Sequence, residues 1–272
     1  MYHENYEKAL PNIELHHVRG IGMFGKVFKA TDKTTGNSIA VKIVTKAQTQ
    51  LVGIENEVVA GRRLQTHPNV VHFIQSVEDD LFLYIMLGYL EGQDLFTYME
   101  HRNFKPVSER KARILFKQLV NAVHHIHSHN VAHLDLKLEN VMISPNNKLT
   151  VIDFGLCDIL QTKDSLTNSF VGSPDYTAPE IWLKTPYSAF KADIYSMGVI
   201  LYALICAGFP FTQEDRLNYI AQKKPMKVEY PNKVSKSVQD LLSKMLENDP
   251  SQRFSLDNVK SHKWTKKANW LL

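Results

Sequence analysis

Two short segments of the chain carry side chains that could bind a metal ion and take up a proton. The first contains Asp135 and Lys137 and ends at Asn140, and the second begins at Asp153. Between them, two β-rich runs flank a Pro-Asn-Asn turn, which is the pattern of a hairpin. A hairpin brings its ends together, so the amide of Asn140 and the carboxylate of Asp153 become neighbours. Because Mg²⁺ binds such oxygens together with phosphate oxygens and water, the pair predicts a magnesium site beside a nucleotide.

A glycine-rich segment near the start of the chain offers a place for phosphates. Gly20, Gly22 and Gly25 precede Val27 in the pattern G-x-G-x-x-G-x-V. Glycine lets the backbone approach an anion closely and direct N–H groups at it. A dinucleotide-binding loop carries the same glycines, but it opens a helix, whereas residues 26–30 continue as a strand. The segment therefore predicts a phosphate-covering loop between two strands.

The order of these motifs resembles that of the protein kinases, in which a glycine-rich loop, a catalytic loop and a metal-binding loop follow one another. In this chain the catalytic loop corresponds to His133–Asn140 and the metal-binding loop to Asp153–Gly155. The surrounding elements agree, since strand-like runs fill the first third of the chain and apolar-periodic helices dominate after it. The resemblance implies an α+β, two-lobed protein kinase fold with a β-rich N-lobe, which holds one main helix, and a mostly helical C-lobe. It divides the chain into one domain 13–264, made of the N-lobe 13–88, the hinge 89–93 and the C-lobe 94–264, and short flanking tails 1–12 and 265–272.

In this resemblance, four residues form the reaction centre. Asp135 accepts the proton of the attacking hydroxyl, and Lys137 stabilises the phosphoryl group in transfer. Asn140 and Asp153 hold the Mg²⁺ ions that accompany ATP. The protein supplies positioning and charge neutralisation, with little covalent chemistry. His133, in contrast, is expected to be structural.

The resemblance also assigns residues to scaffolding. Asp193 is expected to support the backbone of the catalytic loop, and Glu180 is expected to form a buried ion pair with Arg253. Independently of the resemblance, Ser108 stands at the start of an apolar-periodic run and predicts the N-cap of a helix.

The segment Ile39–Lys42 is similar to the kinase V-A-I-K strand, from which a lysine reaches the α- and β-phosphates of ATP while a helix carboxylate holds it. Glu57 is the expected carboxylate. Glu55 remains an alternative, because the spacing from Glu57 to His67 is one residue longer than is usual in the family.

The nucleotide contacts implied by the resemblance come from both lobes and from the hinge. They are Val27, Ala40 and Met142 on the faces of the adenine, Leu87 as gatekeeper, the backbone of Gly88 and Leu90 at the base edge, and Gly20, Gly22, Gly25 and Lys42 near the phosphates.

The segment Gly172–Glu180 resembles the end of the activation segment of serine/threonine kinases. The lysine two residues after Asp135 likewise resembles serine/threonine kinases rather than tyrosine kinases. We therefore expect an ATP- and Mg²⁺-dependent enzyme that phosphorylates Ser and Thr hydroxyls of protein substrates. The alternative is a pseudokinase scaffold that binds nucleotide or partners without efficient catalysis. Such a scaffold usually lacks one of the residues Lys42, Asp135, Asn140 and Asp153, and all four are present.

Two segments, 135–140 and 198–206, are similar to the calmodulin-dependent and AMP-activated-kinase-related group, whereas Ser169–Gly172 resembles the cyclic-nucleotide-dependent group. Glu139 and Asp94 occupy positions that accept basic residues in basophilic kinases. We therefore expect protein substrates with Lys or Arg upstream of the phosphorylated residue.

The sequence departs from the family at several positions near the activation segment. Leu134 stands where most members carry an arginine that pairs with a phosphorylated residue, and Asp158 and Gly53 stand where further cations often lie. We therefore expect basal activity that does not require phosphorylation of Ser169. Gly61 replaces a larger apolar residue, so we expect the helix of the catalytic glutamate to be held less firmly.

The composition limits other classes of function. The chain has 272 residues, a formal net charge of +4 and two cysteines. The mild charge argues against binding to nucleic acid, and the cysteine count favours a reducing compartment, the cytoplasm with the nucleus as a second site. No apolar run is expected to reach the length of a membrane span, and we expect a monomer.

Two features invite other interpretations. His125 and His129 have the i, i+4 spacing of metal ligands on a helix, but no Cys or carboxylate cluster accompanies them, so a polar helix face is expected. Cys157 follows the metal-binding loop and is expected to be a small buried residue rather than a reactive thiol.

Overall fold

The structure, a computed structural model, describes residues 6, 8–22, 25–46, 51–231 and 233–267. Its strands are β1 (Ile13–Gly22), β2 (Gly25–Asp32), β3 (Ser38–Thr45), β4 (Phe73–Glu78), β5 (Phe82–Gly88), β6 (Gln93–Asp94), β7 (Val131–Ala132), β8 (Val141–Ile143), β9 (Leu149–Val151) and β10 (Asp158–Ile159). Its helices are α1 (Leu51–Leu64), α2 (Leu95–His101), α3 (Glu109–Ser128), α4 (Pro179–Trp182), α5 (Ala189–Cys206), α6 (Gln213–Gln222), α7 (Lys236–Met245), α8 (Leu256–Ser261) and α9 (Lys263–Lys266). Met23 and Phe24 of the predicted glycine-rich loop lie outside the described residues.

The first five strands form one antiparallel sheet in the order β1-β2-β3-β5-β4. Strand β3 lies at its centre and is rich in the β-branched residues that suit a buried strand. In its register, Lys42 lies opposite Val27 of β2 and Ile85 of β5. Helix α1 packs on the same lobe through Ile54, Ala60 and other buried residues. The predicted β-rich N-lobe with one main helix is therefore confirmed.

The outer face of this sheet is covered by residues that precede the predicted domain. Tyr6 and Leu10 are buried, and the Tyr6 ring lies 5.2 Å from that of Phe82 and 6.1 Å from that of Tyr84. The three rings meet edge-on or tilted, as aromatic pairs prefer. The described part of the segment predicted as a flanking tail thus contributes to the core of the N-lobe.

The C-lobe is built around helices α3 and α5. As predicted, Ser108 is the N-cap of α3, and its hydroxyl accepts the N–H of Lys111 at 3.4 Å. Helix α5 is apolar on all sides, which is typical of a helix at the centre of a core. Its 18 residues are long and apolar enough to cross a membrane, but 89% of them are buried inside the fold. The expectation that no apolar run reaches that length is therefore wrong, because a fully enclosed core helix needs the same composition.

The predicted hairpin is present and joins the two lobes. Strands β8 and β9 pair with Val141 opposite Val151, and β6 completes a three-stranded sheet. The N–H of Val151 donates to the carbonyl of Asn69 at 2.9 Å, and the N–H of Val71 donates back to Val151 at 2.9 Å. This exchange fixes the end of the hairpin against the segment that follows α1.

Candidate active site

Lys42 lies between two carboxylates that come from different lobes. Its Nζ is 2.7 and 2.8 Å from the two oxygens of Glu57 on α1 and 2.8 Å from Oδ1 of Asp153. Lys42 and Glu57 are buried, whereas Glu55 is exposed, so the structure pairs Lys42 with Glu57 rather than with the alternative. Burial opposes the charge on Lys42, but the attraction of Glu57 and Asp153 outweighs it and raises the pKa of the ammonium above its usual value.

The carboxylate of Asp153 is held in its ionised form. Burial alone would raise its pKa, but the Lys42 ammonium, which both attracts it and donates a hydrogen bond, lowers the pKa below its usual value. The N–H of Gly155 adds a donor at 3.3 Å from Oδ1. A carboxylate that stays charged in this position suits a cation ligand.

Asp193, on α5, fixes the start of the catalytic loop. One of its oxygens accepts the N–H of His133 at 2.9 Å, and the other accepts the N–H of Leu134 at 2.8 Å. Leu134 has a φ of +60°, which costs free energy for a residue with a side chain and therefore needs such support. His133 is fully buried, and its ring lies 5.0 Å from that of Phe154. Both residues have the structural positions that were predicted for them.

The side chain of Asp135 is surrounded by donors. Asn140 Nδ2 donates to its Oδ2 at 2.9 Å, and Lys137 Nζ lies 2.8 Å from the same oxygen. Ser173 donates to Oδ1 from its N–H at 3.1 Å and from its hydroxyl at 2.9 Å, and Lys137 also donates to that hydroxyl at 2.8 Å. Ser173 was not among the predicted site residues. The hydroxyl in the Gly-Ser-Pro segment was the signal that could have indicated it.

These groups open onto a cavity of about 480 Å³ between the lobes. Its lining includes every predicted nucleotide and metal residue, namely Gly20, Gly22, Gly25, Val27, Ala40, Lys42, Leu87, Gly88, Leu90, Asn140, Met142 and Asp153, together with Glu57. It also includes Arg19, Val71, Gln93, Thr97 and Ile152, which the sequence did not indicate. Asp135 and Lys137 do not line it and lie in the adjoining catalytic loop.

Two details of the cavity bear on a nucleotide. A side chain at Gly25 would collide with the backbone of Ile43, so the loop can approach β3 only as glycine. The N–H of Gly88 donates to the carbonyl of His72 at 2.8 Å, so a contact of Gly88 with a base would use its carbonyl oxygen.

The cavity fits Mg²⁺ held by a nucleotide. Asn140 and Asp153 supply an amide and a carboxylate oxygen, and the backbone bond from Ile152 to Asn140 at 3.0 Å keeps the two residues together. Two protein oxygens are few for a metal site on their own, but they suit Mg²⁺, which keeps water and phosphate as its other ligands.

Hydrogen bonds of hydroxyl groups hold the part of the activation segment around Ser169. Thr167 Oγ1 donates to Ser169 Oγ at 3.0 Å, and Ser169 Oγ in turn lies 3.5 Å from Oδ2 of Asp158. The hydroxyl of Tyr187 donates to the carbonyl of Ser169 at 2.6 Å. Leu134, predicted to replace a phosphate-binding arginine, is buried in the core of the C-lobe.

The end of the activation segment is anchored by an ion pair, as predicted. The guanidinium of Arg253 binds both oxygens of Glu180, at 2.6 and 2.8 Å, and both residues are buried. This bidentate arrangement is the strong form of such a pair, and it joins α4 to the segment after α7.

The surroundings of His125, His129 and Cys157 agree with a polar helix face and a buried thiol. His125 Nε2 lies 2.5 Å from the carbonyl of Leu64, and His129 Nδ1 lies 2.8 Å from the carbonyl of His125. Each imidazole thus has a backbone partner. Cys157 is buried, and burial raises the pKa of its thiol above the usual value, which disfavours the reactive thiolate.

Comparison with known proteins agrees with this geometry. The family model of the protein kinase domain matches residues 13–265. The chain is 37% identical over 268 residues to the maternal embryonic leucine zipper kinase of Xenopus tropicalis. The aligned region covers 96% of this chain and 40% of that protein.

Two plant proteins are similarly close. CBL-interacting protein kinase 11 of Oryza sativa subsp. japonica is 34% identical over 253 residues, covering 91% of this chain and 50% of its own length. The SNF1-related protein kinase catalytic subunit alpha KIN12 of Arabidopsis thaliana is 33% identical over 258 residues, covering 94% and 51%. The chain thus spans about half the length of these relatives or less.

Proposed function

The chain belongs to the protein kinase family, and on this basis we propose that it transfers the γ-phosphoryl group of ATP to serine and threonine hydroxyls of protein substrates. Two of its relatives are named as serine/threonine-protein kinases, one of them as a probable one, and another is named as an SNF1-related protein kinase. The predicted similarity to the calmodulin-dependent and AMP-activated-kinase-related group is thereby confirmed. Nothing in the site favours the pseudokinase alternative.

One observation carries the proposal. Lys42, Glu57, Asn140 and Asp153 line a single cavity, and Asp135 is bonded to Asn140 at the edge of that cavity. A protein that only binds partners has no need for a buried lysine held between two carboxylates beside a hydrogen-bonded aspartate. Phosphoryl transfer needs both, because its transition state spreads negative charge that must be neutralised while the hydroxyl is aligned.

We infer the first steps from the hydrogen bonds of Asp135. A carboxylate has about four lone-pair positions, and its donors here are Asn140, Lys137 and two groups of Ser173. A substrate hydroxyl can reach Asp135 only when one donor leaves. Of these donors, Lys137 is the one expected to leave, because the transferred phosphoryl group attracts its ammonium. Its departure frees Oδ2 to accept the proton of the hydroxyl.

Lys42 prepares the other side of the reaction. Its ammonium is held by Glu57, and Lys42 lines the cavity together with the glycines of the predicted phosphate loop, where it can neutralise phosphate charge. ATP would supply the phosphoryl group, and the oxygens of Asn140 and Asp153 would hold Mg²⁺, which would neutralise negative charge there. The protein therefore holds cations on one side of the phosphoryl group and a proton acceptor on the other.

The proposal is tested by turnover of the purified chain with Mg²⁺, ATP and a serine peptide. Asp153→Asn should lower kcat/KM about a hundredfold or more, because it removes charge from the metal site. Asp164→Asn is the matched control, because Asp164 is exposed and lies outside the cavity. Near-normal turnover in the Asp153 variant would exclude the metal role, and an inactive wild type would refute the activity.

For substrate choice, we propose a preference for basic residues upstream of the phosphorylated position. Glu139 supports it, because its side chain is exposed at the rim of the cavity beside the catalytic loop. Asp94 contributes less, because its two oxygens accept the N–H and hydroxyl of Thr97 at 2.8 Å each as the N-cap of α2. Glu139→Gln should therefore weaken selection for arginine in a peptide library. Selection for proline or acidic residues in the wild type would contradict the proposal.

We further propose that the domain 13–264 acts as a monomer in the cytoplasm, with the nucleus as a second compartment. The two cysteines support a reducing compartment, because both are free and buried. Light scattering of the purified chain and imaging of the tagged protein in cells test these proposals.

A further inference from the structure

Three histidine rings lie in a row where the segment after α1 meets α3. The ring centroids of His67 and His125 are 4.5 Å apart with 17° between the ring planes, so these two rings are stacked. The ring of His129, just after α3, lies 4.4 Å from that of His125. His67 precedes β4 of the N-lobe, whereas His125 and His129 belong to the C-lobe, so the row joins the two lobes.

His67 makes a hydrogen bond that only its neutral ring allows. Its Nδ1 accepts the N–H of Asn69 at 3.2 Å, and an imidazole nitrogen can accept only when it carries no proton. Asn69 is buried, and its carbonyl accepts the N–H of Val151 at the end of the hairpin. The neutral ring of His67 therefore supports a backbone contact between the lobes.

His125 holds the other side of the stacked pair. Its Nε2 lies 2.5 Å from the carbonyl of Leu64, which is the last residue of α1. Because a carbonyl only accepts, Nε2 is the donor of this bond. The last carbonyls of a helix have no partner within it, so His125 satisfies one of them. The stacked pair thus fixes both the end of α1 and the segment after it against α3.

The surroundings of His67 disfavour its protonated form. Burial and the charge of His125 lower the pKa of His67 below its ordinary value. Among the described residues, no carboxylate forms an ion pair with His67 or His125. The charged residues in the last turn of α1 and in the hairpin turn near Asn69 are also cations, namely Arg62, Arg63 and Lys148. A proton on His67 would therefore lack a counterion and would break the bond from Asn69.

We propose that the stacked pair of His67 and His125 is a pH-sensitive contact between the lobes, which holds the segment after α1 on α3 while His67 is neutral and weakens when His67 takes up a proton. The free energy of unfolding should then have its full value above about pH 6.5, the ordinary pKa of histidine. It should decrease as the pH falls towards the lower pKa of the folded state, because the unfolded chain takes up the proton first. Activity should decrease over the same range, and this part rests on the proposed kinase activity.

Thermal unfolding of the purified chain between about pH 8 and about pH 5.5 tests the proposal. His67→Asn keeps an oxygen that can accept the N–H of Asn69 but does not titrate. We expect the thermal midpoint of the wild type to fall more steeply with decreasing pH than that of His67→Asn. His124→Asn is the matched control, because His124 is an exposed histidine on the same helix as His125, and it should keep the wild-type dependence. His67→Phe keeps a stacked ring that does not titrate and serves if His67→Asn does not fold.

Two further measurements assign the effect to His67. In an NMR titration, His67 should take up its proton below about pH 6.5 in the wild type and closer to that value in His125→Phe, which keeps a ring and removes the charge. In kinase assays, the ratio of kcat/KM in His67→Asn to kcat/KM in the wild type should rise about twofold or more between about pH 7.5 and about pH 6. The ratio cancels the titration of ATP and peptide, which is common to both proteins.

Parallel midpoint curves of the wild type and His67→Asn would overturn the proposal. Titration of His67 at or above about pH 6.5 would overturn it as well. A constant ratio of kcat/KM would overturn the effect on activity. An inactive wild type would instead refute the proposed kinase activity, and the midpoint curves and the NMR titration would still decide whether the contact is pH-sensitive.

Discussion

Phosphorylation of Ser169 should not be needed for activity. The perturbation is Ser169→Ala, in protein made in a host without kinases and treated with phosphatase. The substitution removes the hydroxyl that lies 3.0 Å from Thr167 Oγ1 and 3.5 Å from Asp158 Oδ2. The same segment leads to Ser173, which donates to Asp135, so a change in its position would be read out in catalysis.

The expected loss is small. A neutral hydrogen bond contributes about 1 kcal/mol, and the contact to Asp158 is at the limit of hydrogen-bond distance. If all of this were lost in the transition state, kcat/KM would fall about fivefold. A phosphate on Ser169 would instead place nearly two negative charges roughly 4 Å from Asp158, at about 1 kcal/mol of repulsion per charge even in water. Phosphorylation is therefore expected to leave activity unchanged or to lower it.

Steady-state kinetics of four proteins decides the question. They are the wild type and Ser169→Ala without phosphate, and the wild type and Asp158→Asn phosphorylated at Ser169. We expect Ser169→Ala to retain most of the activity, and Asp158→Asn to relieve any inhibition by phosphate. A loss of tenfold or more in Ser169→Ala, about 1.4 kcal/mol, would refute the reasoning. Lys184, whose Nζ lies 5.4 Å from the ring of Phe170, would then be the first cation to test as a phosphate ligand.

Three further predictions concern stability. Arg253→Ala leaves the buried carboxylate of Glu180 without its ion-pair partner and should lower the free energy of unfolding in urea by about 3–5 kcal/mol. Arg216→Ala breaks the half-exposed pair with Asp175 and should lower that free energy by less than about 1 kcal/mol. Tyr6→Ala should lower the thermal midpoint and leave kcat unchanged, because its ring packs on the outer face of the sheet; a fall in kcat at unchanged midpoint would contradict this. Burial opposes the charge on Glu109, but the hydrogen bonds that its carboxylate accepts outweigh burial and lower the pKa of Glu109. The contribution of Glu109 to stability is therefore present above about pH 4.3 and is lost as the pH falls through the pKa of the folded state. Acid titration of stability should therefore be shallower in Glu109→Gln.

Sequence signals were sufficient where the structure is local. The hairpin between Asn140 and Asp153 was predicted because a turn fixes its own neighbours, and the N-cap of α3 was predicted because a cap acts within one turn. Helix α5 shows the limit of composition, since enclosure in a core and insertion in a membrane favour the same residues. Tyr6 was missed for a related reason, because a short segment before the first strand carries no periodicity to reveal the face on which it packs.

Contacts between elements far apart in the sequence could be predicted only where a charged side chain needs an oppositely charged partner. The carboxylate for Lys42 was expected, and only the choice between Glu57 and Glu55 needed the structure. Apolar contacts make no such demand. The sequence shows that Gly61 lacks a side chain. The ring that lies against it belongs to Phe73 of β4, and the position of that strand relative to α1 depends on the whole sheet.

The three aspartates of the site show why residue type alone does not assign a role. Among the described residues, Asp193 accepts hydrogen bonds from the backbone N–H groups of His133 and Leu134 and lies 2.8 Å from the imidazole of His127, so its carboxylate supports the loop. Asp153 faces Lys42 and keeps a partly exposed side chain at the cavity, so it stays ionised and can take a cation. Asp135 accepts hydrogen bonds from donors that include the ammonium of Lys137, and in the proposed reaction the departure of that ammonium frees one of its oxygens for the substrate hydroxyl. The partners of each carboxylate, rather than its position in a motif, therefore separate support, cation binding and proton transfer.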